Sequence, residues 1–306
     1  MIPCQFARAD DFHEGWAVAG LPTLDETGGD IVNVLVNEQG GIVYPPEGLE
    51  IDWWSRVSEG LAAVRDPQSD CAGYMDVTGR LVIPPQWIEV YPFHVDFAVV
   101  WASAWEGVFQ YIDRAGNILP GVRARPEGQG GYEFVNGLTS VAVEDPESGI
   151  WWPGAMNERG EIVFTLTGRD IWLWNFMDNG LAWYTKWHPE AGEYEYQQRF
   201  FGLVDSRGNI VTDSLFKCIQ DEGSPFSEGL AAVRIPDGGS NLYGYIDETG
   251  NWAIAPNYLY AFSFENGLAY VKTEDGRGGY IDRDGKEVYL WTTDENLYFW
   301  QSDLPQ

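Results

Sequence analysis

The chain of 306 residues is poor in the groups that most often announce chemistry. It has three cysteines, Cys4, Cys71 and Cys218, far apart and odd in number. That fits reduced thiols in a cytoplasm better than a disulfide framework. It has three histidines, His13, His94 and His188. No Cys-x-x-Cys, His-x-x-x-His or His-Glu-x-x-His spacing occurs, which argues against a zinc site. No loop has the Asp-x-Asp-x-Asp-Gly pattern of a calcium hand. Neither a phosphate-cradling Gly-rich loop nor a Gly-x-Ser-x-Gly elbow is present. No metal, cofactor or catalytic residue is therefore assigned. Lysine and arginine number 18 against 47 aspartates and glutamates, a net charge of −29. Phosphate neutralisation needs clustered Lys and Arg, so nucleic acid and anionic membranes are disfavoured as partners. No apolar run approaches the roughly 20 residues that span a bilayer. Residues 1–11 lack the apolar core of a secretory leader, although a mature exported form stays open. Nor does any segment sustain an apolar period near 3.6, so few helices are expected.

What the chain has is repetition. An Asp or Asn, two variable residues and a glycine recur at Asn37–Gly40, Asp76–Gly79, Asp113–Gly116, Asn157–Gly160, Asp205–Gly208, Asp247–Gly250 and Asp282–Gly285. Each is preceded by an apolar residue: Val36, Met75, Ile112, Met156, Val204, Ile246 and Ile281. An Asp or Asn side chain bonds to backbone two residues on, and glycine supplies the positive φ that closes a hairpin. A turn accepts either residue, so these positions are read as turn formers and not as catalytic carboxylates.

A second marker precedes each turn and reads Phe-x-x-Gly-Leu-Ala, clearest at Phe226 to Ala231 and Phe264 to Ala269. Its variants begin at Phe12, Val57, Phe93, Phe134 and Met177. The last position is alanine throughout except at Thr139, which implies a site that another backbone or ring approaches closely. Short runs rich in β-branched and aromatic residues follow each marker and each turn, as in strands. Pro45, Pro46, Pro84, Pro85, Pro120 and Pro256 are expected to end third strands by removing a ladder donor.

These features resemble the bacterial WG-repeat proteins. The matching stretches are Gly73-Tyr74-Met75-Asp76, Gly244-Tyr245-Ile246-Asp247 and Gly279-Tyr280-Ile281-Asp282, together with the Phe-x-x-Gly-Leu-Ala marker. Tyr243-Gly244 and Phe201-Gly202 hold the place of the Trp-Gly pair that names the family. The resemblance implies an all-β repeat module and no shared catalytic residues. The expected fold is all-β, with seven tandem repeats of three to four strands. They form a single array over residues 1–291, at about 10–48, 55–92, 93–130, 132–170, 175–220, 225–260 and 262–291, with a tail at 292–306. A seven-bladed propeller is the first expectation and an open β-solenoid the alternative.

Spacing locates the working face. Turn glycine to next marker takes 17 to 21 residues, as in 79→96 and 116→137, whereas marker to its own turn takes 18 to 28, as in 267→285 and 180→208. The second interval absorbs insertions, and insertions in a repeat array map to loops on one face, often the binding face. Those loops are residues 21–30, 66–72, 101–107, 144–152, 186–199, 236–241 and 273–278.

The partner-binding residues assigned on them are Trp101, Trp105, Asp145, Glu147, Trp151, Trp152, Trp187, His188, Glu190, Glu193, Tyr194, Glu195 and Tyr196. Carboxylates interleave with aromatics there, and aromatics dominate interface hot spots. His13 and His94 lie in markers and are read as packing or turn residues. Trp53, Trp54, Trp87, Trp172, Trp174 and Trp252 are expected in the core.

The leading functional expectation is a non-enzymatic, cytoplasmic module that binds a basic protein, in the manner of an immunity or antitoxin protein masking a cationic toxin. The acidic charge would also speed such an encounter; its plainer role is solubility. The alternative is a carbohydrate-binding module in which Trp151, Trp152, Trp187 and Tyr194 stack on a neutral glycan. A glycoside hydrolase using a carboxylate pair comes third.

Overall fold

The computed structural model describes residues 6–22, 31–103, 108–124, 134–168, 171–186, 200–218, 224–234 and 242–292. Among them there is no helix, hence none long and apolar enough to cross a membrane. The chain divides into two compact units, Met1–Ile162 and Val163–Gln306.

In the first unit, repeat one holds β1 (Arg8–Ala9), β2 (Trp16–Pro22), β3 (Ile31–Asn37) and β4 (Ile42–Val43). Repeat two holds β5 (Glu50–Ile51), β6 (Leu61–Asp66), β7 (Cys71–Asp76) and β8 (Leu81–Trp87). Repeat three holds β9 (Glu89–Val90), β10 (Phe97–Ser103), β11 (Val108–Asp113) and β12 (Ile118–Ala124). Repeat four holds β13 (Leu138–Glu144), β14 (Trp151–Asn157) and β15 (Ile162–Thr165), the last running across the boundary. In the second unit, repeat five holds β16 (Trp172–Phe176), β17 (Leu181–Lys186), β18 (Phe200–Asp205) and β19 (Ile210–Cys218). Repeat six holds β20 (Leu230–Arg234), β21 (Tyr243–Asp247) and β22 (Trp252–Ala261). Repeat seven holds β23 (Leu268–Thr273), β24 (Arg277–Asp282) and β25 (Glu287–Thr292). All-β repeats in tandem are thus what the residue pattern builds.

The turns behave as their chemistry requires. Asp76 Oδ1 accepts the amides of Thr78 and Arg80 at 2.9 and 3.1 Å. Asn157 Oδ1 accepts those of Arg159 and Glu161 at 2.9 and 3.0 Å, the same geometry with an amide in place of a carboxylate. Gly79 closes its turn at φ 87°.

The prolines correct the expectation that they end strands. Pro45 and Pro46 do follow β4, but Pro84, Pro85, Pro120 and Pro256 lie inside β8, β12 and β22. They sit where the ladder slips. Tyr245 pairs with Ile254 while Tyr243 pairs with Tyr258, leaving extra residues on β22. Tyr74 with Ile83 and Ala72 with Trp87 show the same slip on β8. A bulge leaves residues out of the ladder, so a missing N–H costs nothing there. Beyond the bulge the strand serves the next repeat: Tyr258 pairs with Thr273, Arg123 with Ala142 and Lys217 with Arg234.

The bulge presses its backbone onto the glycine of the facing strand. A Cβ on Gly244 would stand 2.5 Å from the Ile254 carbonyl oxygen and 2.7 Å from Pro256 N. Gly73 faces Ile83 and Pro84 in the same way.

Successive repeats are joined by polar contacts, part-buried at the tyrosines and serines and exposed at the glutamates. Tyr74 packs on Phe93 of the next repeat at 4.9 Å between ring centroids and donates its hydroxyl to the Tyr91 carbonyl at 2.6 Å. Tyr245 repeats this on Phe264 at 4.9 Å and the Phe262 carbonyl at 2.8 Å. The serine after the marker's first residue adds a bond, Ser58 Oγ to the Phe93 carbonyl at 2.6 Å and Ser227 Oγ to that of Phe264 at 2.5 Å. The next residue, a glutamate, accepts from the next marker's turn. Glu14 accepts from Gly60 N at 3.0 Å, Glu59 from Asp96 N at 3.0 Å, and Glu228 from Gly267 N at 3.0 Å. Ala17, Ala62, Ala98, Thr139, Ala182, Ala231 and Ala269 are all buried, as the small side chain at that position implies.

The tryptophans divide. Trp87 is buried and Trp172, Trp174 and Trp252 are partly buried, but Trp53 and Trp54 are 57% and 54% exposed. Both lie in a turn before β6 and not in the core.

Substituting Gly244→Ala forces a methyl group into backbone, and overpacking of this kind costs about 3 kcal/mol. The denaturant midpoint should fall accordingly. An unchanged midpoint would show that the bulge can withdraw.

Candidate functional site

An antiparallel meander places alternate connections at opposite ends of each sheet. In repeat two the marker before β6 and the Asp76 turn after β7 share one end, and the β6–β7 connection leaves from the other. The same order holds in each repeat. The connections of variable length are therefore all links between a repeat's two central strands, and within each sheet they leave from the end opposite the markers and turns.

Trp105, Trp187, His188, Glu190, Glu193, Tyr194, Glu195 and Tyr196 fall outside the described residues. Of the rest, Trp101 lies on β10, partly buried, with its ring stacked on Phe109 at 5.8 Å and 15°. Asp145, Glu147, Trp151 and Trp152 belong to one hairpin, β13–β14. Adjacent strand residues point to opposite faces, so Trp151 and Trp152 do not form one platform. Trp151 carries the Arg123 guanidinium 3.9 Å from its ring centroid, a cation–π contact that occupies one face. Strands β11 and β12 stand between the strand of Trp101 and the tryptophan hairpin, so these groups form two separate patches.

Asp145 builds its own loop. Its carboxylate accepts the Glu147 amide and the Ser148 hydroxyl, both at 2.9 Å. The Glu147 amide first, and the Ser148 hydroxyl second, hold it below the usual carboxylate range. Glu147 itself is exposed and points its charge into solvent. The turn aspartates follow suit: Asn117 lowers Asp113, and Thr249 lowers Asp247. Burial raises the buried tyrosines, Tyr111 to about 12 and Tyr74 and Tyr245 higher still, so their hydroxyls stay protonated donors. Among the described residues no group of three His, Cys, Asp or Glu is placed to hold a metal ion.

Two features escaped the sequence reading. The Trp53–Trp54 turn is exposed, and His13, read there as a marker residue, lines a cleft beside it. No spacing signal marks them, since the step from Gly40 to Gly60 falls within the 17 to 21 residues that the other repeats span.

Residues 73–100, 201–238 and 243–276 match the family described as WG containing repeat. The chain carries WG-containing repeats. In each matched stretch the glycine facing the bulge, Gly73, Gly202 or Gly244, lies at or near the start of the match. No curated protein matches the chain. Among solved structures it is similar to the β-propeller domain of the Trilobed protease from Pyrococcus furiosus, described as having an open velcro topology. Identity is 12%, over 95% of this chain and 97% of that one, with a TM-score of 0.34. It is also similar to KlHsv2 with loop 6CD replaced by a Gly-Ser linker, at 9% identity over 88% and 90% of the two chains and a TM-score of 0.33. The acylaminoacyl peptidase of Pyrococcus horikoshii is 12% identical over 95% of this chain and 53% of that one, with a TM-score of 0.33. Superpositions this loose carry no inference about closure or activity.

The Asp-x-x-Gly turns set a pH dependence. Asp113 and Asp247 are lowered from 3.8, so their contribution is complete above that value and is lost as pH falls through the lowered pKa. Asp113→Asn should remove this acid sensitivity at little cost near neutrality, because Asn157 already makes the equivalent bonds, whereas Asp113→Ala should cost about 1 kcal/mol. Urea midpoints at neutral and acid pH check this; equal effects of the two substitutions at neutral pH would contradict it.

Proposed function

We propose that this WG-repeat protein is a protein-interaction module that engages a basic partner through the variable-loop ends of its sheets. The observation that carries the reading is the separation of roles along each repeat. Residues that couple repeats sit in or near the markers and turns at one end, and the larger length variation lies at the other. The net charge of −29 gives that variable end an electrostatic preference, because long-range attraction steers oppositely charged surfaces together. Trp101 and the Trp151–Trp152 hairpin supply aromatic anchors next to these connections, and aromatic side chains carry most of the energy in typical interfaces. In its most concrete form the protein masks a cationic protein, as an immunity or antitoxin-like protein does.

Affinity capture from the source cells with mass spectrometry identifies the partner, and binding is then measured at about 0.1 and 1 M salt, where screening shortens from roughly 10 to 3 Å. Affinity should fall at least about tenfold with salt, and a similar amount on combined Glu190→Lys, Glu193→Lys and Glu195→Lys. A captured partner whose binding ignores both salt and charge reversal contradicts the reading, as does the absence of any partner at low salt.

A further inference from the structure

The turn that carries Trp53 and Trp54 is built, and it stands where its neighbours have none. Six residues lie between β1 and β2, between β9 and β10 and between β22 and β23, at 10–15, 91–96 and 262–267. In repeat two there are nine, 52–60. The extra residues form a tight turn in which the Ser55 amide donates to the Asp52 carbonyl at 2.9 Å. Both ends of the turn are pinned. Asp52 is buried and its carboxylate meets Arg65 Nε at 3.1 Å. Ser55 is buried and its hydroxyl accepts the Ala63 amide at 2.8 Å. Asn33 Nδ2 fixes the approach by donating to the Ile51 carbonyl at 2.7 Å.

Held in this way, the two central residues of the turn point outward. Their rings meet edge to face, 5.9 Å apart at 85°. The Arg65 guanidinium lies 5.8 Å from the Trp54 ring, which leaves Trp53 the freer surface. Two large apolar rings fixed in solvent are unfavourable for folding alone, because burying them would release water. They bound a cleft of ≈ 260 Å³ together with Asp10, Asp11, His13 and Arg56. That is just under the roughly 300–1,000 Å³ of drug-sized sites and suits a single ring.

We propose that this cleft binds one residue of a neutral saccharide. The composition around the rings decides the class. Asp10 and Asp11 offer acceptors, Arg56 offers only donors, and His13 offers either. A sugar ring presents an apolar C–H face to an aromatic plane and, at its edge, hydroxyls that both donate and accept. An organic cation would use the carboxylates and the rings but would offer no acceptor to the donors of Arg56. A nucleotide would have to approach a chain of net charge −29. The site lies at the marker end of its sheets, away from the variable connections, and so does not depend on the protein-binding reading.

A glycan array with the full chain, followed by calorimetric titration of the saccharides it retains, tests the assignment. Binding should be insensitive to salt and should fall about tenfold or more in Trp53→Ala, with a partial loss in Arg56→Ala. Trp151→Ala, on the other patch, should leave it unchanged. Trp53 is exposed, so its variant should keep the parent's thermal midpoint. A silent array overturns the proposal. So does saccharide binding that survives Trp53→Ala, or displacement of the saccharide by tetramethylammonium.

Discussion

One contact orders the rest of the structure: a buried side-chain donor in each of several repeats reaches the backbone carbonyl two residues before the first marker residue of the next. Tyr74 reaches Tyr91, Tyr245 reaches Phe262, and Trp183 reaches Ser224 through Nε1 at 2.8 Å. A buried carbonyl left without a donor costs a desolvation penalty of about 1–3 kcal/mol. Satisfying it by the preceding repeat ties register and spacing to the neighbour. The marker's Phe then becomes a packing partner for the donor's ring, and the marker's Ser and Glu add bonds to the same strip of backbone. Stability in such an array is a sum of repeat and nearest-neighbour terms, so a contact placed at a junction acts where it matters most.

Repeat five shows that the contact is kept in function and not in identity. Its third strand has Leu203 where repeats two and six have Tyr74 and Tyr245, and leucine cannot donate. The residue opposite Leu203 is Trp183, whereas those opposite the tyrosines are Ala63 and Ala232. Bulk and donor have changed strands together: tyrosine with alanine becomes leucine with tryptophan. The indole stacks on Phe226 at 6.1 Å and 16°, as the tyrosine rings pack on Phe93 and Phe264. The facing glycine belongs to the same arrangement. A bulged last strand, β8 or β22, that swings toward the next repeat must pass close to its neighbour, and only a residue without Cβ leaves room at Gly73 or Gly244.

The repeat was legible because its signals are local. Asp and Asn bond within four residues, glycine closes the turn, and a small residue two places after the marker glycine reports tight packing. The prolines were misread because a bulge is a property of two strands. Pro84 and Pro256 remove a donor in either setting, and only the partner's register shows that none was needed. Trp53 and Trp54 were misread for a similar reason. Tryptophan beside a strand normally seeks the core, but here Asp52 and Ser55 take the buried positions and turn the rings outward. At the loop face, spacing located the variable connections, while the separation of Trp101 from the Trp151 hairpin follows from sheet order that no spacing reveals.

Donor and acceptor at these three junctions thus explain marker, glycine and bulge in one scheme, and leave the opposite end of each sheet free to vary. Repeat five offers the decisive measurement. Trp183→Ala alone should lower the unfolding free energy by about 3–5 kcal/mol. Adding Leu203→Tyr recreates the alanine–tyrosine pair of repeats two and six, and should restore at least half of that loss in a denaturant titration. A double variant no more stable than Trp183→Ala would contradict the account.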